Sequence, residues 1–487
     1  MKVASSRMRA TTVFAVSAGL AIRLFFVLKF PASGSGDGPF YIDLARNWLR
    51  NGVYGFQVAG RLTPVDMRVP GYPAFLAAIF ALLGRGTRAV MLAQVGVDLA
   101  TCLLVALIAA RLAPPLSRRR VALAGLWIAA LCPFTANYTA VILTETLATF
   151  LTTLAILVLL ETELGAPSDS GFPAGYWRPW ILGGIIVGFG TLVRPETPLL
   201  LLAAGLVLVV KWRRPADWQK LIRATLLLGA GLMLPLLPWA ARNWRVLHKV
   251  QFLAPHYSEL PGEFAPLGFN AWTNTWLWRF RDVYLVTWKL DVEPISMDDI
   301  PSPAFDSSQE RERLGEIFDR YNNTLTWSQE QDRELGSIAR ERTARHPLRT
   351  YFKVPVLRSL AMWFTPRVEL LPLSGNLWPL REKWQYDRQD FLATLALTLA
   401  NCVFIGLALA GAWACRRKPG CALLVLFIVV RTAYLAAFAD EAPEPRYVLE
   451  CFPALFALGA QVFARPVSFL QGVRDELSGG KSAESAP

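Results

Sequence analysis

Apolar residues occur in long runs along nearly the whole chain, and short segments rich in Lys and Arg separate these runs. A helix needs about 20 mainly apolar residues to cross a bilayer, and fewer where its ends are buried in protein. The pattern therefore predicts an all-α polytopic membrane protein with about ten membrane-spanning helices. Their expected ranges are 11–30, 88–110, 121–133, 145–160, 180–193, 197–210, 224–240, 392–414, 421–439 and 447–463.

Two further apolar runs, 71–84 and 351–364, are about 14 residues long, which is typical of interfacial or re-entrant segments. Loops rich in Lys and Arg face the cytoplasm, so the basic residues decide how these runs are counted. If neither run crosses, the basic N-terminus, the loop of Arg118 to Arg120, the loop 211–223, residues 416–418 and the C-terminal tail share the cytoplasmic side. If 71–84 crossed, Arg118 to Arg120 would lie outside. We therefore expect both termini in the cytoplasm.

This topology divides the chain into four parts. Residues 1–240 form a transmembrane core, whose first external loop is 31–87. Residues 241–390 form a small external domain, rich in tryptophan and carrying interfacial helices. Residues 391–464 form the C-terminal transmembrane helices, and 465–487 form a cytoplasmic tail that we expect to be disordered.

Composition supports the membrane class. Of 487 residues, 54% are hydrophobic and only 18% are charged, whereas about a quarter are charged in soluble proteins. The net charge of +13 does not indicate nucleic-acid binding, because the Lys and Arg lie in loops where they act as topology signals. The six cysteines occur singly, as buried thiols do, and the sequence has no P-loop, dinucleotide-binding or zinc-type motif.

Acids and arginines gather at the predicted outer face from loops that are far apart in sequence. They are Asp37 after the first span, Arg68 in "RVPGYP", Glu145 at the start of the fourth span, Arg194 and Glu196 in "LVRPE", Arg242 in "LPWAARNW", and Arg446 with Tyr447 in "DEAPEPRY". A carboxylate can act as a general base, and arginines can bind an anionic leaving group. Polar groups gathered at one membrane face indicate chemistry at that face.

Structural alternatives stay open for several of these residues. Asp37 can be the N-cap of the helix that follows it, and Arg194 can extend to the lipid headgroups. Tyr41 and the tryptophans can be interfacial anchors. Asp98 and Arg431 lie near the middle of two spans, where they can form a structural pair.

Several segments, in this order, resemble the GT-C superfamily of polyprenyl-phosphate-sugar-dependent glycosyltransferases. They are "SGDGPFYIDLARNWLRNGVYG", "MRVPGYPAFLAAIFALLG", "ILTETLATFLTTLAIL", "GFGTLVRPE", "LPWAARNWRVL", "RHPLRTYFKVPVLR" and "PRYVLECFPALFAL". The nearest branch contains the bacterial relatives of protein O-mannosyltransferases and of the lipid A aminoarabinose transferase. The resemblance implies a GT-C type fold with interfacial helices in the first external loop.

The resemblance also implies an activity. A hexosyl or pentosyl unit would move from a polyprenyl-phosphate donor to a hydroxyl of an external glycan, lipid or protein, with inversion at the anomeric carbon. The site would face the outside of the bacterial inner membrane. Asp37 matches the family's essential acid and would be the general base, and Glu145 matches a second acid.

Other residues take their expected roles from the same resemblance. Arg68, Arg194, Arg242, Arg446 and Tyr447 would bind the lipid phosphate, and Tyr41, Tyr72 and Asp66 would line the substrate site. The chain departs from the family in two places. "VDMRVP" lacks the adjacent Glu and Lys of the aminoarabinose transferase, so a divalent metal stays open, and Gly38 follows Asp37 where eukaryotic mannosyltransferases have a second acid.

Two other functional classes are compatible with a polytopic membrane chain. A transporter or lipid flippase would carry broken spans and polar sites at the membrane midplane. A membrane scaffold or polymerase would use the outer tryptophan-rich segment to bind partners. The gathering of acids and arginines at one face favours the enzyme.

Overall fold

A computed structural model describes residues 2–32, 34, 36–162, 164, 177–255, 264–418, 420–439 and 443–464. The tail 465–487, which we expected to be disordered, lies outside the described residues. The predicted all-α class is confirmed, since helices dominate and one short hairpin is the only sheet in the described ranges.

The described residues of the first half form ten helices and the hairpin. Their bounds are α1 Lys2–Lys29, α2 Gly38–Asn51, β1 Gly55–Val58, β2 Arg61–Pro64, α3 Gly71–Leu83, α4 Thr87–Leu112, α5 Arg118–Ala130, α6 Pro133–Asn137, α7 Glu145–Leu159, α8 Trp177–Thr191, α9 Leu199–Lys211 and α10 Trp218–Leu247. Short 3₁₀ turns cover Tyr138–Ala140 and Pro215–Asp217.

Nine helices lie in the part of the second half that the structure describes. They are α11 Leu267–Thr273, α12 Phe280–Leu285, α13 Ser308–Thr324, α14 Gln329–Arg345, α15 Val354–Trp363, α16 Leu380–Tyr386, α17 Arg388–Cys415, α18 Cys421–Phe438 and α19 Phe452–Gly459. A π-helical turn covers Arg349–Lys353, and 3₁₀ turns cover Thr287–Lys289, Ser302–Ala304, Pro445–Cys451 and Ala460–Phe463.

Five helices in the described residues are long and apolar enough to cross a membrane, so the chain is a membrane protein. They are Met8–Lys29, Thr87–Leu112, Pro215–Leu247, Arg388–Cys415 and Cys421–Phe438. The pair Arg118–Ala130 and Pro133–Ala140, bent by 49°, is a sixth if it counts as one span. Helices α3, α7 and α9 are apolar but shorter, and the count of ten spans stays a prediction.

Helices α8 and α10 pack backbone against backbone through glycines. A Cβ atom added at Gly184 would lie 2.4 Å from the carbonyl oxygen of Leu228, and one added at Gly231 would lie 2.4 Å from that of Ile181. Small residues allow this close approach between helices in a membrane. The contact fixes the turn that follows α8, which carries Arg194.

Residues predicted to be cytoplasmic meet at one end of the bundle. Arg111 at the end of α4 pairs with Glu161 after α7 at 2.5 Å. The Gln461 side chain donates to the carbonyl of Ala109 at 2.9 Å, and Gly420 packs against Leu160. The residues predicted to be external meet at the opposite end, as described below, so the two sets separate as the basic loops indicated.

The first external loop folds onto the bundle at that opposite end. Its hairpin turns at Ala59 and Gly60, which both have positive φ, as the favoured two-residue turns require. The Gly71 amide donates to the carbonyl of Leu192 at 2.6 Å, and a Cβ atom at Gly71 would lie 2.5 Å from that oxygen. Helix α3 begins at this contact and is one of the shorter apolar helices, and the interfacial position of 71–84 stays a prediction.

The tryptophans of the external segment differ in their burial. Trp272, Trp276 and Trp327 are at most 3% exposed and form a hydrophobic core with residues of α13 and α14. The membrane-anchor interpretation is therefore wrong for these three, because their rings hold a helical unit together. Trp378, in contrast, is 70% exposed.

The expected pair of Asp98 and Arg431 does not form. Asp98 on α4 accepts a hydrogen bond from Nε of Arg23 on α1 at 2.7 Å, and both side chains are buried. Arg431 on α18 pairs instead with Glu450 at 2.6 Å. The interpretation was wrong because each residue finds its partner on a helix or turn packed directly against it.

Candidate active site

A cavity of about 710 Å³ opens at the end of the bundle where the external loops meet. The first loop, the start of α7, the turn after α8, the segment after α18 and the external segment contribute to its wall. Seven of the ten predicted site residues line it: Asp37, Tyr41, Arg68, Glu145, Arg194, Arg446 and Tyr447.

Asp37 presents its carboxylate at the open part of this wall. It occupies the N-cap position of α2, but its side chain makes no capping hydrogen bond. Its Oδ1 accepts from Nη2 of Arg68 at 3.1 Å, and the two side chains are 32% and 29% exposed. The capping interpretation is therefore not supported, and the carboxylate remains accessible from the cavity.

Glu145 and Arg194 form a buried ion pair deeper in the wall. Nη1 of Arg194 donates to Oε1 of Glu145 at 3.0 Å, and Glu145 is 2% exposed as the first residue of α7. The second carboxylate oxygen of Glu145 has no hydrogen-bond partner among the described residues. Arg194 is 8% exposed, so it does not extend to the lipid headgroups.

Three carboxylates surround the Arg194 guanidinium. Its Nε lies 3.4 Å from Glu450 and 3.7 Å from Glu196, in addition to the bond with Glu145. Burial opposes its charge, but Glu145, Glu196 and Glu450 outweigh burial and raise the pKa of Arg194. Burial likewise opposes ionisation of Glu196, but Arg194 and Arg431 outweigh it and lower the pKa of Glu196. Arg194 and Glu196 therefore both favour their charged forms in this cluster.

Glu450 is a member of this network that the sequence analysis missed. Its Oε1 accepts from Arg431 at 2.6 Å, its Oε2 accepts from the hydroxyl of Thr152 at 3.0 Å, and it is 1% exposed. The available signal was a lone acid in the apolar run "RYVLECFPALFAL". A charge inside a membrane segment indicates a functional or paired group.

Arg446 and Tyr447 complete the network on the side of α18. Nε of Arg446 donates to Glu444 at 2.6 Å and lies 3.9 Å from Oε1 of Glu145. The guanidinium carbons of Arg446 and Arg194 lie 5.8 and 5.9 Å from the centre of the Tyr447 ring. The aromatic ring therefore holds two cations at the same wall of the cavity.

Tyr41 lies in the wall beside Asp37 and is not an interfacial anchor. It is 8% exposed, and its ring packs edge-on against Tyr72 with centroids 5.2 Å apart. Burial, with a further contribution from Asp37, raises the pKa of Tyr41 well above its usual value. The phenol therefore faces the cavity in its neutral form.

Two predicted site residues, Tyr72 and Asp66, do not line the cavity. Tyr72 is fully buried, and its hydroxyl donates to the Gln94 side chain at 2.7 Å. Asp66 lies 3.5 Å from Lys249. Tyr72 supports the wall from behind, through its contact with Tyr41.

Arg242 also lies apart from the cavity. Its guanidinium donates to the carbonyls of Val65 and Tyr54 at 2.9 and 2.8 Å, and it stacks over the Trp239 ring at 5.0 Å. These contacts tie the first external loop to α10. The sequence could not distinguish this structural role from the expected phosphate-binding role, because an arginine at a predicted helix end is compatible with either.

An apolar groove of about 620 Å³ adjoins the cavity, and Val193 lines both. The groove runs between α3, α7, α8 and α10 and includes Trp48, Leu151, Phe189 and Leu234. Phe189 and Leu234 are half-exposed, as lipid-facing side chains are. The charged cavity therefore continues into a surface that suits a hydrocarbon chain.

A divalent metal does not fit the arrangement of these carboxylates. No three His, Cys, Asp or Glu side chains in the described part of the chain come together as a ligand set. Asp37 and Glu145 each face a guanidinium, and Asp66 lies near Lys249.

The chain is similar to known membrane glycosyltransferases in sequence and in fold. The family model described as dolichyl-phosphate-mannose-protein mannosyltransferase matches residues 67–239. The structure of the archaeal oligosaccharyltransferase AglB from Archaeoglobus fulgidus, in complex with an inhibitory peptide and a dolichol-phosphate, is 11% identical with a TM-score of 0.50. That match covers 98% of this chain and 52% of the oligosaccharyltransferase, so the chain spans about half its length.

A second neighbour is ArnT from Cupriavidus metallidurans bound to undecaprenyl phosphate, which is 14% identical with a TM-score of 0.39 and covers 98% of this chain and 81% of ArnT. No curated protein matches the chain in sequence. The family match and the AglB likeness confirm the predicted GT-C resemblance and GT-C type fold.

Proposed function

We propose that this protein is a membrane glycosyltransferase that moves a sugar from a polyprenyl-phosphate donor to an acceptor hydroxyl. The observation that carries the proposal is the cavity in which Asp37, Arg68, Glu145, Arg194 and Arg446 meet beside an apolar groove. A base, a set of cations and a hydrocarbon-binding surface are the three parts that such a donor and reaction require.

The donor would lie across the boundary between the cavity and the groove. Its hydrocarbon tail would occupy the groove near Phe189, and its phosphate would meet Arg68, Arg194 and Arg446. Each guanidinium group can donate two parallel hydrogen bonds to phosphate oxygens. The Tyr447 ring keeps the guanidinium groups of Arg194 and Arg446 at one wall of the cavity. The AglB structure was determined in complex with a dolichol-phosphate, which supports a lipid phosphate here.

The transfer is a single displacement. The acceptor oxygen forms a bond to the anomeric carbon while its proton passes to the Asp37 carboxylate. The bond between the anomeric carbon and the phosphate oxygen breaks, and its electron pair leaves with the polyprenyl phosphate. Attack opposite the leaving group inverts the configuration, and the arginines stabilise the charge that develops on the phosphate.

Glu145 would act mainly through Arg194 in this mechanism. One of its oxygens orients the guanidinium, and its other oxygen has no partner among the described residues. The cavity would face the outside of a bacterial inner membrane, because the basic loops lie at the other end of the bundle. The acceptor would then be a hydroxyl of an external glycan, lipid or protein.

The variant Asp37→Asn tests the base. The amide keeps the size of the carboxylate but cannot accept the proton, so sugar transfer should fall by about a hundredfold or more. Transfer is measured on purified protein with polyprenyl-phosphate sugars, beside thermal stability and donor binding. Asp43→Asn, an exposed change on the same helix, is the matched control. Near-normal turnover by the stable Asp37 variant would remove Asp37 as the base.

A further inference from the structure

Two of the six cysteines meet where α17 turns into α18. Cys415 is the last residue of α17, and Cys421 is the first residue of α18. Both side chains are buried, at 3% and 2% exposure, and their sulfur atoms lie 3.0 Å apart. A disulfide bond is about 2.05 Å long, so a shift of about 1 Å would bring the two sulfur atoms to bonding distance. In the sequence the six cysteines occur singly, but the turn brings these two together.

Backbone contacts and packing hold the two thiols at this separation. The Lys418 amide donates to the carbonyl of Cys415 at 2.7 Å, and the Cys421 amide donates to the carbonyl of Lys418 at 3.3 Å. Gly420 has a φ of +85°, and a Cβ atom there would lie 2.5 Å from the Leu160 side chain. The turn is therefore tight and packs against the residue that follows α7, which keeps Cys421 next to Cys415.

The thiol pair links two helices that otherwise pack on different partners. Helix α17 packs mainly on α19, where a Cβ atom added at Gly411 would collide with the carbonyl oxygen of Leu458. Helix α18 packs mainly on α9. A bond between Cys415 and Cys421 would therefore join two helices at the one turn that connects them.

The surroundings of the pair suit sulfur oxidation better than metal binding. Arg416, Arg417 and Lys418 in the turn are exposed. Reactive cysteines occur in positive surroundings, because the thiolate is the form that attacks an oxidant. A structural metal would need about four ligands, and no set of three His, Cys, Asp or Glu side chains gathers anywhere in the described ranges.

We propose that Cys415 and Cys421 are a redox-active pair that a hydroperoxide converts into a disulfide. With hydrogen peroxide, the sulfur of one cysteine attacks the O–O bond, which gives a sulfenic acid and one water. The neighbouring thiol then attacks the oxidised sulfur, the S–S bond forms and a second water leaves. In total, two thiols and one hydrogen peroxide give one disulfide and two waters, and two electrons pass from the sulfur atoms to the peroxide.

The position of the pair in the bundle indicates which form is the resting one. Gly420 packs against Leu160, next to the ion pair of Arg111 and Glu161, at the end of the bundle that is predicted to face the cytoplasm. Disulfides in the cytoplasm are usually transient, because thiols there are kept reduced. We therefore expect the dithiol at rest and a disulfide that a thiol reductant opens again. The pair lies at the opposite end from the cavity and is independent of the proposed sugar transfer.

Mass spectrometry on the full-length protein in lipid nanodiscs tests the pair. The protein is reduced, treated with hydrogen peroxide, blocked with a thiol-alkylating reagent under denaturing conditions and digested with chymotrypsin, which cuts after Trp413 and Leu423. We expect peptide 414–423 to lose two hydrogen atoms and its capacity for alkylation, and dithiothreitol to restore both. Full alkylation of both cysteines after prolonged peroxide treatment would overturn the proposal, as would sulfinic or sulfonic acids in place of the disulfide.

Two single variants separate the pair from the other cysteines. Cys415→Ser removes the second thiol, so peroxide should leave a sulfenic acid on Cys421 that dimedone traps, and the disulfide should be lost completely. Cys402→Ser is the matched control, because Cys402 is an exposed free cysteine on the same helix as Cys415. It should leave the disulfide unchanged. Loss of the disulfide in the Cys402→Ser variant would show that the bond does not form between Cys415 and Cys421.

Discussion

At the scale of single residues, two arginines of the cavity differ sharply in their surroundings. Arg68 lies at the open wall and is 29% exposed, with Asp37 as its carboxylate partner. Arg194 is buried among Glu145, Glu196 and Glu450. Removing one partner of a buried ion pair leaves an uncompensated charge, whereas exposed pairs contribute little to stability. The two residues should therefore respond differently to the same substitution.

We expect Arg68→Ala to weaken donor binding with little change in thermal stability. Loss of one charge-assisted bond to a phosphate costs about 1.5–3 kcal/mol, which corresponds to about tenfold or more in affinity. Arg68→Lys should recover only part, because an ammonium lacks the guanidinium fork. Binding of a polyprenyl phosphate to purified protein measures both effects, with the exposed Arg50→Ala as control.

Arg194→Ala should instead destabilise the folded protein, by about 3–5 kcal/mol if the network behaves like other buried pairs. Thermal unfolding in detergent distinguishes the two variants. An Arg194→Ala protein as stable as the wild type would contradict the buried network, and unchanged donor binding by Arg68→Ala would remove Arg68 from the phosphate site.

At the scale of helices and turns, close backbone contact between α8 and α10 positions the turn that carries Arg194. Gly184→Ala adds only a Cβ atom, which would meet the Leu228 carbonyl oxygen at 2.4 Å. Overpacking of this kind costs about 1–3 kcal/mol, so the melting temperature and sugar transfer should both fall. Gly205→Ala on α9 is the control, since a Cβ atom there meets nothing within 4 Å. Equal melting temperatures for the two variants would show that α8 and α10 are farther apart.

Another element-scale feature is an ion cluster that joins α13, α14 and the π-helical turn in the external segment. Asp306 accepts two hydrogen bonds from Arg349, at 2.5 and 3.1 Å, and lies 3.3 Å from Arg342. Burial opposes its ionisation, but the hydrogen bonds from Arg349 and the charge of Arg342 outweigh burial and lower the pKa of Asp306.

The lowered pKa of Asp306 gives a pH dependence of known sign. Its carboxylate stabilises the folded state above the unfolded value of about 4, and this contribution is lost as the pH falls through the lower folded value. We therefore expect Asp306→Asn to melt below the wild type at neutral pH, with the difference shrinking as the pH falls below about 4. Melting curves of both proteins across that range measure it. A difference that stayed constant would contradict the ion cluster.

At the scale of the whole molecule, the charged residues separate to two ends of the helical bundle. Arg111 and Glu161 meet at one end, and Asp37, Glu145 and Arg446 meet at the other. The excess of Lys and Arg in the loops of the first end predicts that this end faces the cytoplasm.

Cysteine accessibility in intact cells tests this orientation. A cysteine at Arg118 should react with a membrane-impermeant reagent only after permeabilisation, because this basic residue is predicted to face the cytoplasm. A cysteine at the exposed Asp43 should react in intact cells. The six native cysteines must first be replaced. Labelling of position 118 from outside would reverse the predicted orientation.

Several properties of the protein follow from the sequence alone. Apolar runs identify membrane helices because each helix needs enough consecutive apolar residues to match the hydrocarbon core, and this requirement does not depend on the rest of the chain. The distribution of Lys and Arg among the loops likewise places Arg111 and Arg446 at opposite ends of the helical bundle. The sequence therefore determined the all-α membrane class, and with the family resemblance it identified seven residues that line the cavity.

Only the tertiary structure decided which charges meet. Asp98 pairs with Arg23 and not with Arg431, Arg242 holds the first loop outside the cavity, and the unexpected Glu450 lies beside Arg194. Ion-pair partners depend on which helices pack side by side, and residues such as Arg194 and Glu450 are far apart along the chain. Hydropathy and charge patterns carry no information on such distances, since the pattern is local and the pairing comes from packing.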